Sequence, residues 1–401
     1  MTATRMPRVA TLTAAGVAWI VAAALLLQTT VPDDLRLPSL DERATFGAEL
    51  VREAEAYERF LYILWILGTL ASLAVLVWLV RRGPRLAESL GLGRVNAGIV
   101  VGVLVTTAVW VVSLPFFYAG AWWDRRHDIS VEPWSLIVFA PWFELMALAF
   151  QAVIVLGVLL LLAKRFAQHW WIGATAMVLV LGVLLQLGLP YLDRIASESP
   201  PPKLAATIDE LERRQGTGDL TVRVADVDEE TTAANAYTFG IGPSRTVVFW
   251  NTLLDGRFTD REVRFVAAHE LGHQARDHLL KGIAWATLIG ALLFAAVALV
   301  TRRRGGLRNP GAVPLAILTL AVLQLFVMPF SNAVSRRYET EADWTALNAT
   351  RDPDAAKGLF TGFAEDLSDP QPPAWAEWMF GSHPSPLERV EMAEAFRRRG
   401  G

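Results

Sequence analysis

Seven long apolar stretches dominate this chain, at residues 9–31, 60–80, 97–118, 135–163, 171–192, 283–301 and 312–332. Each runs for about 20 residues or more, the length an α-helix needs to cross a hydrocarbon layer of about 30 Å. Hydrocarbon offers no water to an unpaired backbone group, so a spanning segment must satisfy its own N–H and C=O groups. Continuous apolar runs, without strand alternation, select the helix for that task. The composition agrees, with 53% of the 401 residues hydrophobic and a mean hydropathy of +0.35. The first run follows Arg5 and Arg8 and is not followed by a small-residue cleavage site, so it reads as a retained helix. The fourth exceeds one crossing and contains Pro141, which predicts tilt or a kink.

Polar residues inside spans need a reason. Glu144 within the fourth run either lines a polar chamber or is neutralised and structural. Gln151, Gln186 and Gln324 point weakly to a wet interior. A formal net charge of −3 argues against a nucleic-acid partner, and the absence of cysteine excludes disulfides and thiolate sites. The basic residues are 33 Arg and only 4 Lys. With the Ala and Val load, that suggests a GC-rich bacterial genome and a bacterial cell membrane.

The chain divides into four parts. Residues 1–192 hold spans one to five, 193–280 a soluble insert, 281–332 spans six and seven, and 333–401 a second soluble, mostly helical segment. In the insert, SESPPP at 197–202 reads as a rigid hinge and Lys203–Arg214 as an amphipathic helix. Leu220–Ala225 reads as a strand. Asn235–Gly240, a Gly-Pro turn at 242–243 and Thr246–Trp250 read as a hairpin. Thr259 and Glu262 form a capping box that opens a helix running to about Asp277. The fold class is therefore mainly α, a polytopic seven-helix membrane protein whose soluble part carries a small β-hairpin or sheet.

That last helix carries His269-Glu270-Leu271-Gly272-His273, in a chain with only six histidines. Histidines four apart lie one turn above another on one face, within reach of one metal ion. Glu270 is rotated about 100° from His269, beside the metal, where it can take a proton from water. This is the HExxH pattern of zinc peptidases. A hydrolytic zinc takes three protein ligands and leaves one position open. With no cysteine, the third must be His or carboxylate. Glu339 and Glu341, in Ser335-Arg336-Arg337-Tyr338-Glu339-Thr340-Glu341-Ala342-Asp343, are alternatives that spacing alone does not separate. Asp343, one turn beyond Glu339, could hydrogen-bond the outer nitrogen of a ligand histidine. His278 reads as a dipole partner at the end of the metal helix, and His127 and His169 receive no role.

Together, HELGH, then S-R-x-x-E-x-x-A-D after two further spans, then Ser382-His383-Pro384 with Arg389, resemble the integral-membrane CAAX prenyl proteases of type I. The related heat-shock protease X group shares these motifs. Asn235-Ala236-Tyr237 fits the family's N-A-[FY] stretch, and Ser113–Tyr118 and seven spans fit the prenyl branch. The resemblance implies a gluzincin-type domain with one Zn2+ per chain, bound by His269, His273 and Glu339. It implies Glu270 as general base, Asp343 orienting a histidine, His383 donating to the oxyanion, and Arg389 and Arg336 holding the site electrostatically. Asn235, Ala236 and Tyr237 would offer an edge strand to a peptide, and the helices would enclose a water-filled chamber.

The partners implied are a peptide or membrane-protein substrate and the bilayer, with a monomer compatible and the oligomeric state left open. Arg81, Arg82, Arg85, Arg94, Lys164, Arg165, Arg302, Arg303, Arg304 and Arg308 fall with Arg5 and Arg8 at one end of the spans. The positive-inside rule makes that end cytoplasmic and places the metal segments outside, opposite to the family's usual arrangement. Alternative readings are a quality-control protease of the heat-shock type, or a non-catalytic receptor or transporter stabilised by zinc.

Overall fold

The computed structural model describes residues 5–365 and 369–400, with side chains described from residue 13 onward. The first apolar run forms α1 (Arg5–Leu26). It stops at Leu26 rather than at 31, because the chain leaves the helix there and Thr30 finds a buried carboxylate partner on a distant helix. A short α2 (Glu42–Phe46) precedes α3 (Ala48–Ser89), α4 (Arg94–Arg126), α5 (Trp134–Arg165) and α6 (Trp170–Ala196). The charge-rich residues 42–59 ahead of the second span are largely helical, since α3 projects out of the apolar region toward Ala48. After the soluble insert come α9 (His278–Thr301) and α10 (Val313–Thr350), the insert itself holding α7 (Pro202–Gln215) and α8 (Asp260–Ala275). The chain closes with α11 (Pro353–Glu365), α12 (Ala374–Phe380) and α13 (Pro386–Arg398).

Among the described residues, six helices, α3, α4, α5, α6, α9 and α10, are long and apolar enough to cross a membrane. The described apolar part of α1, Thr13–Leu26, is shorter, and the side chains of Arg5 and Arg8 lie outside the described residues. Each of the six packs on the next, and α10 returns to α3, so their contacts close a ring. Leu76, Val101, Val105, Leu159, Leu160 and Val313 form the buried seam of α3, α4, α5 and α10. Between these four helices lies a cavity of about 850 Å³, lined by Glu144, Asp124, Ser113 and Trp65 among others. Pro141 lies inside α5, where its carbonyl accepts from the Trp110 indole at 3.0 Å.

The soluble core gathers Phe249, Leu253, Phe265, Leu271, Leu347, Phe360 and Phe396 around α8. Its sheet has three strands, β1 (Thr221–Ala225), β2 (Ala236–Phe239) and β3 (Thr246–Trp250), in the order β1-β3-β2. The predicted hairpin is present, with β2 antiparallel to β3, while β1 joins the other side of β3 in parallel. Gly240 sits at φ +86 in the hairpin turn, where a Cβ would meet the Ser244 carbonyl at 2.3 Å. The SESPPP segment is not free: Glu198 and Val224 exchange backbone hydrogen bonds at 2.7 and 3.0 Å, which covers the β1 edge. β2 is the edge left open. Gln186 of α6 does not hydrate the membrane interior; its side chain accepts from Gly240 N–H at 2.7 Å and its carbonyl from the Ser244 hydroxyl at 2.9 Å. It docks the hairpin on the membrane helices.

Candidate metal centre

The helix that carries the histidines starts where its sequence demands. The Thr259 hydroxyl caps the Glu262 amide while the Glu262 carboxylate receives the Thr259 N–H at 2.7 Å. From there α8 buries Phe265, Ala267, Ala268 and Leu271 completely. The same packing holds His269, Glu270 and His273 against α10, which descends antiparallel from the seventh span. Gly272 makes the approach possible, since a Cβ there would touch the Ala342 backbone at 3.3 Å.

Across that contact α10 brings Glu339, not Glu341, to the imidazoles. His269 Nε2 lies 3.1 Å from Glu339 Oε2, and His273 Nε2 lies 3.6 Å from Glu339 Oε1. The two histidine Nε2 atoms are 3.1 Å apart. Tetrahedral zinc bonds of about 2.0–2.2 Å place donor atoms about 3.3–3.6 Å apart, so the set fits one ion. Two further observations agree with a cation at this point. Two ring nitrogens aimed at each other call for a shared proton or a metal ion between them, and Glu339 Oε2 is buried with no hydrogen-bond partner. A donor set of two imidazoles and a carboxylate suits Zn2+.

Burial alone would push the His269 imidazolium down, but the Asp343 and Glu339 carboxylates outweigh it and hold its pKa up at about 10. That is the pull this site exerts on any cation. Glu270 is buried beside the ligands, and desolvation pushes its carboxyl up against the opposing charges of His269 and His273. Asp343 Oδ1 accepts from His269 Nδ1 at 2.8 Å and both its oxygens are gripped by Arg389, at 2.8 and 2.6 Å. Arg389 thus reaches the centre through Asp343. Arg336 does not: it donates to the Glu377 and Gly381 carbonyls at 2.9 and 2.5 Å, and so fixes the loop that carries His383. His383 Nε2 stands 3.3 Å from Glu339 Oε2, and the Ser382 hydroxyl lies 3.0 Å from its Nδ1. A hydroxyl donating there leaves the proton on Nε2, on the side of the centre.

β2 lies beside these groups because Gln274, next to His273, donates to the Thr238 hydroxyl at 2.7 Å. Asn235 accepts from Trp250 N–H at 3.0 Å, so Tyr237 also faces β3 while Ala236 and Thr238 face the open edge. The Asn235 side chain covers the Ala236 amide at 2.8 Å, and the Tyr237 hydroxyl is tied to Asp193 at 3.1 Å.

His278 departs from its expected place. The metal helix ends at Ala275, the backbone turns at Asp277 with φ 56, and His278 begins α9. A helix C-terminal dipole therefore does not act on it. Its Nδ1 lies 3.0 Å from His273 Nδ1 and its Nε2 2.9 Å from Glu341. Sequence reasoning missed this contact, since the only signal was a third histidine five residues after the second.

Membrane-length helices with a buried His-His-Glu cluster beside a glutamate define an integral-membrane metalloprotease. The comparisons place it more narrowly. Residues 198–397 match the model of peptidase family M48. A Bacillus subtilis (strain 168) protein described as uncharacterized metalloprotease YhfN is 30% identical over 315 residues, 73% of this chain and 71% of that one. The chain belongs to peptidase family M48. A CAAX prenyl protease 1 homolog of Oryza sativa subsp. japonica is 23% identical over 342 residues, 81% of this chain and 80% of its own. The crystal structure of S. mikatae Ste24p superposes with a TM-score of 0.74 at 17% identity, covering 94% of this chain and 96% of that one. At that identity the likeness speaks to the fold.

Proposed function

We propose that this chain is a zinc endopeptidase that cleaves a peptide laid along β2, with Glu270 as general base. The observation that carries the reading is the convergence of His269 Nε2, His273 Nε2 and a Glu339 oxygen, all within 4.8 Å of one another. One zinc ion held there supplies Lewis-acid chemistry, polarising the scissile carbonyl and acidifying water. The protein groups do the rest. Glu270 accepts the proton of the attacking water and passes it to the leaving amine. His383, with its proton on Nε2, donates to the oxygen of the tetrahedral intermediate, a contribution of about 3–4 kcal/mol for donors of this kind. Asp343 and Arg389 keep the His269 ring in place. The open Ala236 carbonyl and Thr238 backbone pair with an extended substrate, as peptides add to sheet edges.

Substrate reaches the centre through the apolar cavity among α3, α4, α5 and α10. Leu61 and Trp65 line both that cavity and a second one of about 650 Å³ that extends to His383. Glu144 lies on the wall of the larger cavity, which favours the chamber-lining reading. The substrate class is a peptide or a membrane-proximal segment of a membrane protein, and the setting a bacterial cell membrane. The name of the Oryza sativa relative, a CAAX prenyl protease 1 homolog, raises prenylated CAAX motifs as one such class.

The test is Glu270→Gln in purified full-length protein. Zinc content should stay at one per chain while peptide hydrolysis falls by at least about 10²-fold, the scale of a general base. Undiminished turnover in that variant would refute the mechanism.

A further inference from the structure

We propose that His278 is a positioning residue for His273, and that Glu341 and Thr30 complete a relay that fixes how His273 presents itself to metal. The inference rests on the reading of His273 as a zinc ligand. It starts from proton bookkeeping. Glu341 Oε2 accepts from His278 Nε2 at 2.9 Å, and an ionised carboxylate can only accept. The proton of a neutral His278 ring is therefore on Nε2, and Nδ1 keeps its lone pair. His273 Nδ1, 3.0 Å away, must then be the donor. That places the lone pair of His273 on Nε2, the nitrogen turned toward His269 and Glu339.

Each end of the relay is held. Glu341 is only 1% exposed. Its other oxygen accepts from the Thr30 amide at 2.6 Å and the Thr30 hydroxyl at 2.9 Å, and Lys281 Nζ lies 3.6 Å from Oε2. With that many donors around it, the carboxylate does not turn to donate. The His278 ring stacks on Tyr338, with centroids 4.6 Å apart and planes at 13°. Tyr338 is in turn fixed by the Trp285 indole at 3.0 Å and by the Leu26 carbonyl at 2.7 Å.

The backbone is built for the contact. On an unbroken helix a residue five positions on is turned about 140° away from His273. The left-handed turn at Asp277 brings His278 back to it. The two metal-facing histidines thus receive the same service by different routes. His269 has a carboxylate directly, from Asp343, and His273 has one through a second imidazole. Glu341, a rival for the ligand role in the sequence, acts behind the ligand.

The experiment measures zinc affinity of the full-length protein in detergent by competition with a chromogenic chelator. The cobalt-substituted absorption spectrum is recorded alongside as a report on ligand geometry. His278→Phe keeps the stacked ring and removes both nitrogens. It should weaken zinc about 10- to 100-fold, the cost of losing such an outer partner, and alter the cobalt spectrum. His278→Gln, whose amide can accept from His273 and donate to Glu341, should return affinity to within about threefold of wild type. Equal affinity in wild type and His278→Phe overturns the proposal. So does equal weakening in the Phe and Gln variants with lowered melting temperatures, which would make His278 a packing residue. Should His278→Phe fail to fold, Glu341→Gln decides: weaker zinc binding supports the relay and unchanged binding overturns it. Wild-type protein that binds no zinc would instead sink the metal reading itself.

Discussion

Asp343 shows how much one side chain carries at this centre. It is 1% exposed, orients His269, and is the counter-charge of Arg389, whose guanidinium also lies 4.0 Å over the Phe360 ring. Asp343→Asn should cost about 10- to 100-fold in zinc affinity and, by leaving Arg389 without its countercharge, up to about 3–5 kcal/mol of stability. Chelator competition and thermal unfolding measure the two effects separately. The proton on His269 gives a second prediction. In metal-free protein its pKa of about 10 lies above its ordinary 6.5. That stabilisation is complete below pH 6.5 and is lost as pH rises through 10. Zinc must displace the same proton, so its affinity should move the other way, rising about tenfold per pH unit while the proton is still bound. Calorimetry in buffers of different ionisation enthalpy would count that proton, and a pH-independent affinity would contradict the assignment. Spacing left Glu339 and Glu341 as equals because two residues on one helix differ only in the face they present. Which face meets α8 is a tertiary fact.

At the level of elements, that fact is set by Gly272. The glycine between the two metal-facing histidines lets α8 lie close against Ala342 and Thr345 of α10. Gly272→Val would force the helices apart and should abolish tight zinc binding while leaving the membrane helices intact, as helical circular dichroism with and without zinc would reveal. Much at this scale was legible: the spans by hydropathy, the start of α8 by its capping box, the hairpin by alternation around a Gly-Pro turn. What was not legible depends on partners far away in sequence. The early end of α1, the pinned SESPPP segment and the start of α9 at His278 answer to Glu341, Val224 and His273, respectively. Gln186 misled for the same reason, since its partners Gly240 and Ser244 lie beyond the span.

For the whole molecule, one end of the ring of helices gathers basic side chains from separate connections. Arg94, Lys164 and Arg308, from three separate connections, line one cavity, so those connections share a side. By the positive-inside rule that side is expected to be cytoplasmic and the carboxyl-terminal segment external. A reporter active only after export, fused to the C terminus, should be active, and a strong signal from a cytoplasm-dependent reporter would reverse the orientation.

One rod joins the bilayer to the chemistry. α10 runs without interruption from Val313 to Thr350, with Pro329 inside it, so a single helix begins among lipid tails and ends beyond Glu339 and Asp343. At about 1.5 Å per residue, Glu339 stands roughly 10 Å past the end of that span at residue 332. Spans lean more in thin membranes than in thick ones, and a lean applied at the base moves the far tip. Because α8 packs on α10 where Gly272 meets Ala342, the imidazoles travel with Glu339, so a lean of the span displaces the metal centre as a unit rather than opening it.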